Sequence, residues 1–219
     1  MEINNIKLHW LGHDGFSLIT QENKVIYIDP YKVSQVYHKK NDAEIVLISH
    51  NHFDHLSIED LRHVVNENTK IIAASECIEK LNQEGFKNVK GVEPGQTIQE
   101  RGIIIEIVPA YNINKTFHPK DDRKVGFIIT FGKNFRIYHS GDTDKIPEMG
   151  EYKSDVALVP VSGVYVMTAE EAAEAVNNLL KPTKLTIPMH YGTVVGSLQD
   201  AIKFKKLVKN CQVEILAQE

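Results

Sequence analysis

The sequence predicts an α/β fold, a four-layer αββα sandwich, and three observations lead there. Short apolar, β-branched runs alternate with stretches of helical spacing. They follow in the order ββ, then βαβα, then paired strands, then βαβαβ, so the chain reads as two similar halves. Strand–helix alternation within a half implies a layered, largely parallel sheet. Two such halves would set their sheets face to face with helices outside. No Pro/Gly/Ser linker, low-complexity tract or fixed-period repeat interrupts the 219 residues. One domain over residues 1–219 is expected.

The elements follow in order. Lys7–Leu11, Phe16–Thr20 and Lys24–Asp29 are short strands, and Asn23 marks a hairpin turn between the last two. Ile45–Ile48 is a buried strand. Ser57 with Asp60 resembles a capping box for a helix carrying Ile58, Leu61, Val64 and Val65. Lys70–Ala73 is a strand, and Ser75 caps a helix running to about Gln83, with Gly85 as its stop. Thr97–Gln99 with Ile103–Val108, and Val125–Phe131 with Phe135–His139, read as hairpins. Val156–Pro160 is a strand, and Thr168 and Glu171 form a capping box for a helix ending near Lys181 and Pro182. Leu185–Met189 is a strand, 197–209 a helix, and Val213–Leu216 a last strand.

Composition narrows the function. Apolar residues make up 42% and charged residues 25%, and the formal net charge is -4, so no basic surplus recommends nucleic acid or an anionic membrane. The most apolar stretch, Ile103 to Val108, is broken by Glu106 and is too short to span a bilayer. Cys77 and Cys211 are unpatterned and read as reduced, buried thiols. The first residues carry no basic-then-apolar signal pattern. A cytoplasmic protein is expected.

One stretch carries chemistry. In ISHNHFDHLS, His50, His52, Asp54 and His55 fall within six positions of a chain with 10 histidines. In extended backbone His50 and His52 share a face. The stretch follows a predicted strand and precedes a helix cap, where binding loops of α/β sheets lie. Imidazoles with a carboxylate suit zinc, manganese or iron rather than calcium.

His50-Asn51-His52-Phe53-Asp54-His55 resembles the HxHxDH signature of the metallo-β-lactamase superfamily. "LHWLGHDGFSLI" and "VIYIDPY" resemble the opening strands of its L-ascorbate-6-phosphate lactonase-like branch, which includes many uncharacterised metal-dependent hydrolases. "IYHSGDTD" resembles that branch's GDT motif and "TIPMHYGT" its final histidine motif. The αββα sandwich is the fold of that superfamily. The resemblance implies two divalent ions, zinc or manganese, with iron or nickel as alternatives. It places His50 and His52 on one ion, Asp54, His55 and His190 on the other, and Asp142 between them. It makes Asp29 a carboxylate that orients a ligand from behind. It sets His13 near the site, behind a ligand or against the substrate; a structural histidine bonded to backbone is the other reading. His139, a strand residue near Asp142, faces the site or points away.

The chain departs from the branch at one point. Where the branch often has Pro-Ala-aromatic-His, this sequence has Pro109-Ala110-Tyr111-Asn112. Three readings stand. His118 loops back to complete the first site, the favoured one; Asn112 binds through its amide oxygen; or the first site is filled only with substrate. Around it, Lys115, Lys120, Arg123 and Lys124 form a solvated face or attract an anionic group.

The function expected is hydrolysis of an ester, lactone or phosphodiester of a small-molecule substrate, anionic ones included, by a metal-held hydroxide. Asp54, Asp142 and His118 are the candidate catalytic residues. Alternatives are a nuclease-type phosphodiesterase, or a non-catalytic metal-binding sensor. No membrane partner is expected, and a homo-oligomer is compatible with the family.

Overall fold

The computed structural model describes residues 1–219, which form two compact units: Met1–Val92 with Leu216–Glu219, and Glu93–Ile215. No helix is long and apolar enough to cross a membrane.

The first unit holds a seven-stranded mixed sheet whose strands lie side by side in chain order. Strands β1 (Glu2–Ile3), β2 (Ile6–Gly12), β3 (Gly15–Ile19) and β4 (Val25–Ile28) form an antiparallel meander. Strands β5 (Ala43–Ile48), β6 (Lys70–Ala74) and β7 (Val89–Val92) then add in parallel. Parallel neighbours need crossovers, and helices α1 (Ile58–Val64) and α2 (Ile78–Gln83) lie in two of them.

The second unit repeats the plan. Strands β8 (Thr97–Glu100), β9 (Ile103–Pro109), β10 (Val125–Phe131) and β11 (Phe135–His139) are antiparallel. Strands β12 (Val156–Pro160), β13 (Leu185–Met189) and β14 (Gln212–Val213) are parallel. Helix α3 (Ala169–Ala175) packs on β12, α4 (Leu198–Leu207) on β13, and the two helices on each other. Strands β4, β12 and β13 are buried at every position. That is the pattern of strands covered on both faces, and it explains their nearly continuous apolar sequence, in which buried Thr186 satisfies its hydroxyl on the Ala157 carbonyl at 2.8 Å.

This topology positions the candidate residues. Asp29 follows β4 and the 50–55 loop follows β5; Asp142 follows β11 and His190 follows β13. All leave the carboxyl ends of strands at parallel junctions, where α/β sheets carry their sites.

Some local expectations hold and others need correction. Thr168 forms the full capping box: its hydroxyl accepts from the Glu171 N–H at 3.1 Å and Glu171 accepts from the Thr168 N–H at 2.8 Å. Ser57 does cap α1, accepting from the Asp60 N–H, but the Asp60 carboxylate does not return to the cap backbone. It accepts instead from the N–H groups of Lys32 and Val33 at 2.9 and 3.0 Å, tying the chain after β4 to α1. Ser75 is no side-chain cap; it opens a 3-10 turn and donates to the Val92 carbonyl. Gly85, at φ 85°, does end α2, with the Phe86 N–H returning to Leu81. The rod of α3 continues as a π-helical turn over Val176–Leu180 before Lys181 adopts φ 42°. The last strand is shorter than expected, because only Gln212 and Val213 pair with β13.

Candidate metal centre

In the first unit, Asp29 organises the histidine loop. Its backbone turns left-handed (φ 41°), a strained state that clusters at functional positions. Its carboxylate accepts from the Ser49 N–H at 2.8 Å, the Ser49 hydroxyl at 2.5 Å and His55 Nδ1 at 2.8 Å. A carboxylate only accepts, so His55 carries its proton on Nδ1 and presents a lone pair at Nε2. The Ser49 hydrogen is committed to Asp29, so its oxygen accepts from His50 Nδ1, 3.0 Å away. His50 thus also presents Nε2 as a lone pair, 3.0 Å from His52 Nδ1. His13, at φ 51°, reaches Asp54 with Nε2 at 3.0 Å. Donor atoms of His13, Asp54 and His55 lie within 4.8 Å of one another. Asp14, which sequence reasoning passed over, sets a carboxylate oxygen 3.7 Å from His55 Nε2. Of these residues only His52 is part-exposed.

In the second unit, Asp142 sits on the turn after β11. The close approach of β10 to that turn requires Gly126, because a Cβ there would lie 2.6 Å from the Ser140 carbonyl oxygen. His139 accepts the Gly141 N–H at Nδ1, 3.2 Å, and so shapes the turn that carries Asp142. His190, at φ 59°, ends β13. Ser162 donates to the Val164 carbonyl and lies 3.0 Å from His190 Nδ1, so that nitrogen carries the proton. His190 Nε2 then faces Asp142 Oδ2 at 3.2 Å, and His118 Nε2 faces the same oxygen at 3.3 Å.

The departure at Asn112 has a geometric explanation. Asn112 and His118 clasp the loop: the Asn112 N–H donates to the His118 carbonyl at 2.7 Å, and Asn112 Oδ1 accepts the His118 N–H at 3.0 Å. Asn112 Nδ2 donates to the Tyr165 carbonyl at 2.9 Å, and His118 Nδ1 lies 3.3 Å from the same oxygen. The amide is committed at both ends to holding His118. Buried Asp144 accepts from the Ile113 N–H at 2.9 Å and pairs with Lys115 at 2.5 Å, anchoring the loop. Lys120 pairs with Glu148, Arg123 with Glu93 and Lys124 with Asp122. The four cations of this loop are thus partnered by carboxylates.

The donor chemistry fits a metal. In the neutral state, His118 and His190 each point a lone pair at one anionic carboxylate oxygen, acceptor against acceptor in a buried setting. Such a contact is costly away from water. A shared cation relieves it, either added protons or a divalent ion. His55 Nε2 facing Asp14 repeats the arrangement in the first unit. Nitrogen and carboxylate donors oriented from behind through Nδ1 are what borderline divalent ions take. The orienting groups Ser49, Ser162 and the Tyr165 carbonyl were missed from the sequence. A Ser directly before His50 was the one local signal available.

Residues 7–190 match the family described as beta-lactamase superfamily domain. A UPF0173 metal-dependent hydrolase of Thermoplasma acidophilum is 31% identical over 226 residues, covering 99% of this chain and 97% of its own. A crystal structure of a protein from Parabacteroides distasonis superposes with a TM-score of 0.82 at 32% identity, covering 96% of this chain and 92% of that one. The metallo hydrolase Igni18 of Ignicoccus hospitalis gives a TM-score of 0.79 at 29% identity, covering 97% and 95%. The α/β fold read from the sequence is therefore the metallo-β-lactamase fold.

Proposed function

The chain belongs to the beta-lactamase superfamily, and on that premise we propose that it is a metal-dependent hydrolase of a small ester, lactone or phosphodiester. Its relatives of similar length carry the name metal-dependent hydrolase. The observation that carries the reading is the common orientation of four imidazoles. Asp29, Ser49, Ser162 and the Tyr165 carbonyl each engage an Nδ1, which turns Nε2 of His55, His50, His190 and His118 into an acceptor. Four imidazoles set in one tautomer are prepared for a cation.

By motif order along the chain, the family resemblance would assign His50, His52 and His118 to one ion and Asp54, His55 and His190 to a second, with Asp142 shared. The ions are zinc or manganese, with iron or nickel compatible with the same donors. When bound, they supply positive charge to a developing oxyanion and make water a nucleophile near neutral pH. The protein's own residues do the rest. Asp29 and Ser49 fix two imidazoles. His13 steadies Asp54, and Asp54 would take a proton from the attacking water and pass it to the leaving group. Asn112, which gave the sensor reading its support, has a bracing role here, and each cation of the 115–124 loop is paired with a carboxylate, which weakens the nucleic-acid reading.

The test is turnover. Protein reconstituted with zinc or manganese should hydrolyse at least one of a p-nitrophenyl ester, a simple lactone and bis-p-nitrophenyl phosphate, and a chelator should abolish that activity. No turnover on any of the three by fully loaded protein would contradict the reading.

A further inference from the structure

Each unit places an exposed phenylalanine directly beside a donor histidine. Phe53, between His52 and Asp54, is 63% exposed, and Phe117, before His118, is 50% exposed. The chain has eight phenylalanines, and these two alone are exposed. Each leans edge-on against a tyrosine. Phe53 meets Tyr31 with ring centroids 5.8 Å apart at 79°, and Phe117 meets Tyr165 at 4.5 Å and 76°. Such pairs are the favoured aromatic geometry.

The surroundings of Phe117 sharpen the observation. Ile113 and Val164, beside Asn112 and Tyr165 in sequence, are also exposed. Tyr165 holds φ 69°, a genuine outlier for a bulky residue. That conformation accompanies a carbonyl bonded to Asn112 and His118 and a ring set against Phe117. The apolar edge is therefore tied to the segment that carries His118. The same loop's four cations are paired with carboxylates. Lys120 and Arg123 remain more than half exposed, each already facing a carboxylate; beside them Ile113, Phe117 and Val164 add apolar surface, and small-molecule sites are lined mainly by such groups.

We propose that Phe53 with Tyr31, and Phe117 with Tyr165, are apolar recognition elements for the non-reacting part of the substrate. The substrate class is then an uncharged ester or lactone with an alkyl or aryl group, in preference to a phosphorylated sugar or nucleotide. This rests on the hydrolase reading above.

The experiment has two readouts on the full, metal-loaded chain. The first is kcat/KM for p-nitrophenyl acetate and hexanoate. Hexanoate should be favoured, and the hexanoate-to-acetate ratio should fall about tenfold in Phe53→Ala and in Phe117→Ala, the scale of a lost apolar contact. The second is calorimetric binding of 1-naphthalenemethanol, an uncharged aryl alcohol with no hydrolysable bond. It should bind the wild type about tenfold more tightly than the double variant, at equal metal content. Probe binding without turnover of either ester, of a simple lactone or of bis-p-nitrophenyl phosphate would sink the hydrolase reading and leave the apolar elements standing. Turnover with an unchanged ratio and unchanged probe affinity would overturn the proposal and spare the hydrolase. A phosphorylated lactone cleaved faster than its unphosphorylated counterpart would overturn it too. So would a wild-type dimer that dissociates in the double variant, since the phenylalanines would then serve an interface.

Discussion

The two units share one topology and differ in how they carry their donors. In the first, His50, His52, Asp54 and His55 lie on one loop after β5, and a single carboxylate, Asp29, orients both His55 and, through Ser49, His50. In the second, His118, Asp142 and His190 come from three separate connections, and each is set by its own support. Asn112 and the Tyr165 carbonyl hold His118, Gly126 and His139 shape the turn at Asp142, and Ser162 turns His190. One arrangement concentrates its dependence on a single residue. The other distributes it.

The contrast can be broken by mutation. The largest effect belongs to Asp142→Ala, because one carboxylate oxygen faces two imidazoles. We expect kcat to fall by about a thousandfold, the loss of several kcal/mol of charge stabilisation, with metal content reduced in elemental analysis.

Next come the orienting groups. Asp29→Ala removes the partner of His55 and, through Ser49, the support of His50, and leaves the buried Ser49 N–H without its acceptor. Metal affinity should fall about 100-fold, and about 2 kcal/mol of stability should go with it. Ser162→Ala releases one imidazole and should cost about tenfold in affinity. Equal losses in competitive chelator titrations would show that the first unit is no more dependent on its one carboxylate than the second is on its serine.

Gly126→Ala tests the shape of the Asp142 turn. The new Cβ meets a backbone oxygen that cannot swing away, so thermal unfolding should show a loss of about 1–3 kcal/mol. A neutral result would remove the argument for that close approach.

Smallest are the helix caps. Thr168→Ala breaks a reciprocal box and should cost about 1–2 kcal/mol. Ser57→Ala should cost about 1 kcal/mol or less, because Asp60 keeps the N–H groups of Lys32 and Val33. Denaturant midpoints would rank the two.

The same contrast decides what the sequence revealed. The first unit's donors are legible because they are local, four in six positions after an apolar strand. Asp142 and His190 are a Gly-Asp-Thr turn and a lone histidine, readable only through the ordered family motifs. The buried strands β4, β5, β10, β12 and β13 were visible because apolar runs between turn residues mark them. The two-residue strand β1 and the polar edge strand β7 carry no such signal. Ser162, the Tyr165 carbonyl and Asp14 act through contacts distant in sequence or through backbone, where residue type says little. The bracing role of Asn112 depends on a loop closure that no local pattern encodes.

The most direct test of the account counts metal per chain by elemental analysis after reconstitution with zinc or manganese, for wild type and His118→Ala. A two-ion site predicts about two ions in the wild type and about one in the variant. About two ions in both proteins would remove His118 from the ligands, and a wild type that retains none would contradict the metal centre itself.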